Sequence, residues 1–136
     1  MVDDEVDFVE VLADRLEARG LDVVKVTSGL AALEEVERRA FDAIVLDMAM
    51  PGMDGLQTLE GILGINPDLQ VILLTGKATL EQAAAAIRIG ALDLLEKPAD
   101  LEVLVGKIEL AATRRWSLEE KRIEERVADI MRKKGW

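Results

Sequence analysis

Apolar positions recur at spacings of three and four along residues 6–19, where Phe8, Val9, Leu12, Ala13 and Leu16 are interleaved with charged side chains. That period puts them on one face of an amphipathic helix, and Gly20 supplies its stop. Residues 21–26 form a short valine-rich run, as a buried strand does, and Thr27, Ser28 and Gly29 turn the chain into a helix marked by Leu30, Leu33 and Val36. The strand-then-helix unit then repeats. An apolar run at 43–46 ends at Asp47, a loop covers 48–55, and a helix is predicted over 56–65, before Asn66-Pro67. The run at 71–74 ends at Thr75. Thr79, with Gln82 three residues on, reads as a capping box opening an alanine-rich helix through Ile89, with Gly90 as its stop. A last strand over 92–95 leads into Glu96-Lys97-Pro98, and Asp100 is an N-cap for a final helix that nothing interrupts before Gly135.

Strands alternating with helices across short connections predict a parallel sheet covered on both faces, a doubly wound α/β fold. The near-continuous apolar strands agree with burial on both sides. With 136 residues, half of them apolar, one domain with one core is expected. A formal net charge of −10 repels phosphate backbones and anionic lipid, so direct nucleic-acid binding is not expected. Cysteine and histidine are both absent, which excludes disulfides, thiolate or imidazole metal sites and histidine-based catalysis. No apolar run approaches the roughly 18 residues of a membrane span, and the acidic start is unlike a signal peptide, so a cytoplasmic protein is expected.

In open parallel sheets, ligands bind beyond the carboxyl ends of the strands. Those ends are polar here: Asp3, Asp4 and Glu5 follow Met1-Val2, Asp47 follows the third run, Thr75 and Gly76 the fourth, and Lys97 and Pro98 the fifth. Singly, each has an ordinary reading as an acidic helix start, a turn residue or a cap. Together they supply one chemistry. Asp3, Asp4 and Asp47 raise one another's cost of ionisation, which a hard cation relieves; Mg²⁺ suits a site of few carboxylates completed by phosphate oxygens. Asp47 is then a candidate nucleophile forming an aspartyl phosphate. Lys97 would meet the added charge, Thr75 would donate a hydroxyl hydrogen bond, and Gly76 would leave room for a phosphoryl oxygen.

Asp3-Asp4-Glu5, the segment Asp47-Met48-Ala49-Met50-Pro51-Gly52-Met53-Asp54-Gly55, the pair Thr75-Gly76, and Gly90-Ala91-Leu92-Asp93-Leu94-Leu95-Glu96-Lys97-Pro98 resemble the receiver domain of bacterial two-component response regulators, from Asp3 to about Ala112. The resemblance implies a flavodoxin-like, five-stranded parallel sheet in the order 2-1-3-4-5. It implies Asp47 as phosphoacceptor, Asp4 as a direct Mg²⁺ ligand, Asp3 as a ligand through water, and the backbone carbonyl of Ala49 as a third protein ligand. Thr75 becomes the switch hydroxyl, Lys97 the phosphate partner, and the Lys97–Pro98 peptide cis. It also implies a histidine kinase as phosphodonor and an output domain or partner protein that reads the fourth helix, fifth strand and fifth helix. The wording Thr79-Leu80-Glu81-Gln82-Ala83 is similar to receivers of transcriptional activators of the nitrogen-regulation type.

Two departures stand out. Leu94 occupies the position where the family usually carries an aromatic switch, which shifts signal transmission toward helix movement. Only Met1 and Val2 precede the acidic pair, so the first strand, interior to the sheet, is truncated or absent. A start downstream of the natural one, residues omitted from the numbering, or a strand supplied by another chain would account for this; the first two keep Asp3 and Asp4 in place. The expected organisation is a receiver over 1–112 and a helical extension or linker over 113–136. In that extension eight basic and five acidic side chains give about +3, and Trp116, Ile123, Val127 and Ile130 form a narrow apolar stripe. The stripe either packs on the domain, ends in solvent or supports a homodimer. The expected function is a phosphorylation-controlled switch and not a conventional enzyme. The alternatives are a degenerate receiver serving only protein interaction, and an aspartyl-phosphate phosphohydrolase, against which Ala49 stands where a second acid is needed.

Overall fold

A computed structural model of the chain describes residues 1–48, 54–76 and 79–133. In chain order the elements are α1 (Val6–Glu17), α2 (Gly29–Arg38), β1 (Ile44–Asp47), α3 (Gly55–Ile65), β2 (Val71–Thr75), α4 (Leu80–Ile89), β3 (Asp93–Glu96) and α5 (Leu101–Lys133). β1, β2 and β3 form a parallel sheet in that order, with Asp47 beside Leu74 and Thr75 beside Glu96.

Beyond β1 the sheet continues only as isolated parallel bridges, from Leu46 to Val2 and from Val2 to Val26. The predicted order is therefore kept, with the chain start between the second segment and β1, but the first two strands are each reduced to a bridge. Met1 bonds to both Val24 and Val26, and Val2 bridges Val26 and Leu46, but no longer ladder forms there. The pairing consists of Val2 N–H to the Val45 carbonyl (2.8 Å), Asp47 N–H to Val2 (2.8 Å), Asp3 N–H to Val26 (3.2 Å), Val26 N–H to Met1 (2.9 Å) and the Met1 amino group to the Val24 carbonyl (2.8 Å).

The helices cover both faces. Leu46, Leu59, Ile62, Val71, Leu73, Ala86 and Ala91 pack under α2, α3 and α4, and Val45, Ile72, Leu74 and Leu104 pack under α1 and α5. β1 and β2 are buried at every position, which explains their unbroken apolar runs. Caps fix the helix starts. Ser28 Oγ accepts from Ala31 N–H, the expected Thr79/Gln82 box is present, and a second box joins Asp54 and Gln57, starting α3 one residue before the predicted position. Asp100 Oδ1 accepts from Glu102 N–H at 2.8 Å and opens α5, which runs unbroken for 33 residues. No helix among the described residues is long and apolar enough to cross a membrane.

Candidate functional site

The carboxyl edge of the sheet gathers the residues singled out from the sequence. Asp47 is the last residue of β1 and is 4% exposed; Asp3, which follows the bridging Val2, is 1% exposed. Asp4 completes the group from a partly exposed position, and one oxygen from each of the three carboxylates lies within 4.8 Å of the others. Three hard oxygen donors with no sulfur or imidazole nitrogen fit a divalent cation of the Mg²⁺ type. The Ala49 carbonyl lies outside the described residues.

Lys97 reaches into this cluster from just beyond β3. Its Nζ lies 3.0 Å from Asp3 Oδ2, 3.4 Å from Asp47 Oδ1 and 3.7 Å from Glu5 Oε1, and 4.5 Å over the centre of the Phe8 ring. Burial by itself would lower the Lys97 ammonium. The hydrogen bond to Asp3 and the charges of Asp3, Asp47 and Glu5 outweigh it, so the group is held above its ordinary range and stays cationic. A single ammonium thus offsets two carboxylates that the fold has removed from water.

The backbone fixes how these groups meet. Lys97 N–H donates to the Thr75 carbonyl at 2.7 Å, Met48 N–H donates to the Leu74 carbonyl at 2.9 Å, and the Lys97–Pro98 peptide is cis. Thr75 is buried at the end of β2. Gly76, next in the chain, is exposed, and a Cβ there would meet no atom within 4 Å, so the opening beside Thr75 is unobstructed by described residues. Leu94 is half-buried and packs into the cluster under α4.

Three contributors had no assigned role in the sequence reading. Phe8 lies beneath Lys97 on the first turn of α1, where its helical spacing marked it only as core. Glu5 adds a third carboxylate to the Lys97 neighbourhood. Gly55, at the start of α3, sits so close to the end of β1 that a Cβ would stand 2.3 Å from Met48 Cα and 2.7 Å from the Asp47 carbonyl oxygen. Only glycine lets α3 begin against the backbone that carries Asp47. Its place in the Gly-Met-Asp-Gly wording was the available signal.

The family described as the response regulator receiver domain matches residues 1–109. Among curated proteins, the chain is similar to the transcriptional regulatory protein ZraR of Escherichia coli O157:H7, 38% identical over 82% of this chain and 25% of the relative. It is also similar to the C4-dicarboxylate transport transcriptional regulatory protein DctD of Rhizobium meliloti, 33% identical over 95% of this chain and 28% of the relative. The chain thus spans about a quarter of the length of these relatives. Among solved structures, a response regulator receiver domain protein from Clostridium thermocellum superposes with a TM-score of 0.82 at 31% identity, covering 86% of this chain and 94% of that one. A response regulator from Burkholderia pseudomallei, solved with a phosphorylated aspartic acid, a calcium ion and citrate, superposes with a TM-score of 0.75 at 25% identity, covering 98% and 83%.

Proposed function

Because the chain belongs to the response regulator receiver family, we propose that it is a phosphorylation switch whose Asp47 accepts a phosphoryl group from a histidine kinase. The observation that carries this reading is the meeting of Asp47 with Asp3, Asp4 and Lys97 at one sheet edge. A carboxylate oxygen of Asp47 attacks the phosphorus of a phosphohistidine. The new P–O bond makes an acyl phosphate while the P–N bond breaks, and its electron pair leaves on the imidazole nitrogen, which is protonated from solvent.

Asp3, Asp4, Asp47 and the Ala49 carbonyl are the groups that would hold Mg²⁺, which when bound supplies positive charge against the phosphoryl oxygens. Lys97, already beside Asp47, follows the negative charge onto the phosphoryl group. Thr75 donates its hydroxyl to a phosphoryl oxygen, which Gly76 leaves room to approach. With Leu94 packed into the core under α4, the change passes outward as a shift of that helix and the adjoining strand.

On this reading the chain is a switch that modifies itself, acting in the cytoplasm where the kinase presents its phosphohistidine. The likeness to named transcriptional regulatory proteins supports control of transcription as the output, through a domain or partner that reads the phosphorylated state. Residues 1–112 are the receiver and residues 113–136 the extension. Incubation with Mg²⁺ and a small acyl phosphate should add one phosphoryl group by mass spectrometry, and none to Asp47→Asn. Equal labelling of Asp47→Asn would overturn the assignment.

A further inference from the structure

Among the described residues, the ammonium of Lys97 is surrounded by three carboxylates and one aromatic ring. Asp3 Oδ2 lies 3.0 Å from it and Asp47 Oδ1 3.4 Å, both on buried side chains, and Glu5 Oε1 lies 3.7 Å away on a side chain that is 67% exposed. The fourth neighbour is the face of the Phe8 ring, its centre 4.5 Å from Nζ. Phe8 is itself fixed twice. The first turn of α1, which carries it, is closed by Val9 N–H donating to the Glu5 carbonyl at 3.0 Å, and Glu5 N–H in turn donates to Asp3 Oδ1 at 3.0 Å. Its side chain packs against Val45, Ile72, Leu74 and Leu104, the cluster that Ala99 also joins two residues past Lys97.

These four contacts respond differently when charge is rearranged at the site. On the function proposed above, on which this inference rests, Asp3 and Asp47 turn toward a cation and a phosphoryl group, while the exposed Glu5 draws the ammonium out toward solvent. The ring neither ionises nor ligates. Its face attracts an ammonium through the quadrupole wherever the neighbouring negative charge lies. An aliphatic side chain of similar bulk would bury comparable apolar area but leave the ammonium desolvated and uncompensated on that side. We infer that Phe8 is a positioning residue: its ring keeps the Lys97 ammonium beside Asp47, against the pull of Glu5, so that the positive charge is in place when the acyl phosphate forms. Lys97 then needs no recruitment from solvent.

NMR of the full chain in EDTA tests the contact without any phosphorylation. The Cε methylene protons of Lys97, assigned by their loss in Lys97→Met, should lie upfield of those of the other lysines because of the ring current; shifts equal to the others overturn the proposal. Kinetics then test the role. With saturating Mg²⁺ and a small acyl phosphate, Phe8→Leu should accept the phosphoryl group about fivefold more slowly, with circular dichroism confirming that it is folded. Phe8→Tyr, which keeps the ring, should recover most of that loss. A trifluorinated phenylalanine at position 8 keeps the ring's shape and drains its negative face, so its rate should fall between those of phenylalanine and leucine, an order that packing alone does not produce. Equal rates for the native chain and Phe8→Leu, or for the native and fluorinated rings, overturn the role while Asp47 remains the acceptor. A native chain that takes no phosphoryl group overturns the reading of Asp47 and this inference with it.

Discussion

The sheet has two unlike halves, and the site straddles them. On one side β1, β2 and β3 pair along their whole lengths, and β2 is buried at all five of its positions. On the other, Val2 and Val26 continue the sheet through single bridges. Asp47, Thr75 and Lys97 belong to the first half, while Asp3 and Asp4 hang from the second. On the proposed reading, Asp47 is held by a fully paired strand, while the other two carboxylates that would hold the cation, Asp3 and Asp4, depend on the least supported segment of the sheet. The two supports differ in strength, so the placement of Asp3 and Asp4 should fail before that of Asp47.

The contrast is broken most severely from the strong side. Leu73 is fully buried in β2, and Leu73→Ala should cost about 2–5 kcal/mol, lowering the urea midpoint of the whole domain. Lys97→Met acts across the junction. It strands Asp3 and Asp47 without their shared cation, so stability in EDTA should fall by about 3 kcal/mol, with added Mg²⁺ restoring part of it. The same variant should bind Mg²⁺ more tightly by calorimetry, because the resident ammonium no longer competes; unchanged affinity would show that Lys97 does not occupy the cation's field.

Gly55→Ala drives a methyl into Met48 and the Asp47 carbonyl and should cost about 1–3 kcal/mol while slowing phosphorylation, since the acceptor's own backbone must shift. From the weak side, Val2→Ala should cost only about 1.5 kcal/mol but weaken Mg²⁺ binding disproportionately. The finest test is amide exchange. Val2, Asp3 and Val26 N–H should exchange through local opening, far ahead of the amides within β2. Uniform protection across the sheet would erase the distinction between its halves.

Much of this was legible in the sequence for a physical reason. Buried parallel strands must be apolar, so the polar residues ending the two buried runs, Asp47 and Thr75, mark the carboxyl edge of the sheet, and Lys97 follows the half-buried β3 to the same edge. The Thr79/Gln82 box and the Asp100 cap were readable because they directly precede helical periodicity. The Asp54/Gln57 box carries the same pattern, but it follows Pro51-Gly52, whose turn chemistry argues for loop. Residues 21–26 have strand composition; whether they ladder is decided by their pairing with a distant segment, which no local propensity records. Phe8 could not be assigned from period alone, because a helix face that packs on a core and one that supports a lysine share the same spacing.

The continuity of α5 has a mechanical consequence. At 1.5 Å per residue, the helix from Leu101 to Lys133 is about 50 Å long, far longer than the sheet it packs against. Its first turn is seated just beyond Lys97, and Arg115 and Arg122 touch the loops at the opposite end of the sheet. Such a rod is a lever that pivots at its first turn, beside the sheet edge that carries Asp47. A tilt of about five degrees there would carry the far tip roughly 4 Å, enough to move one helical ridge off its groove and turn a sub-ångström adjustment near Asp47 into a change of partner contacts.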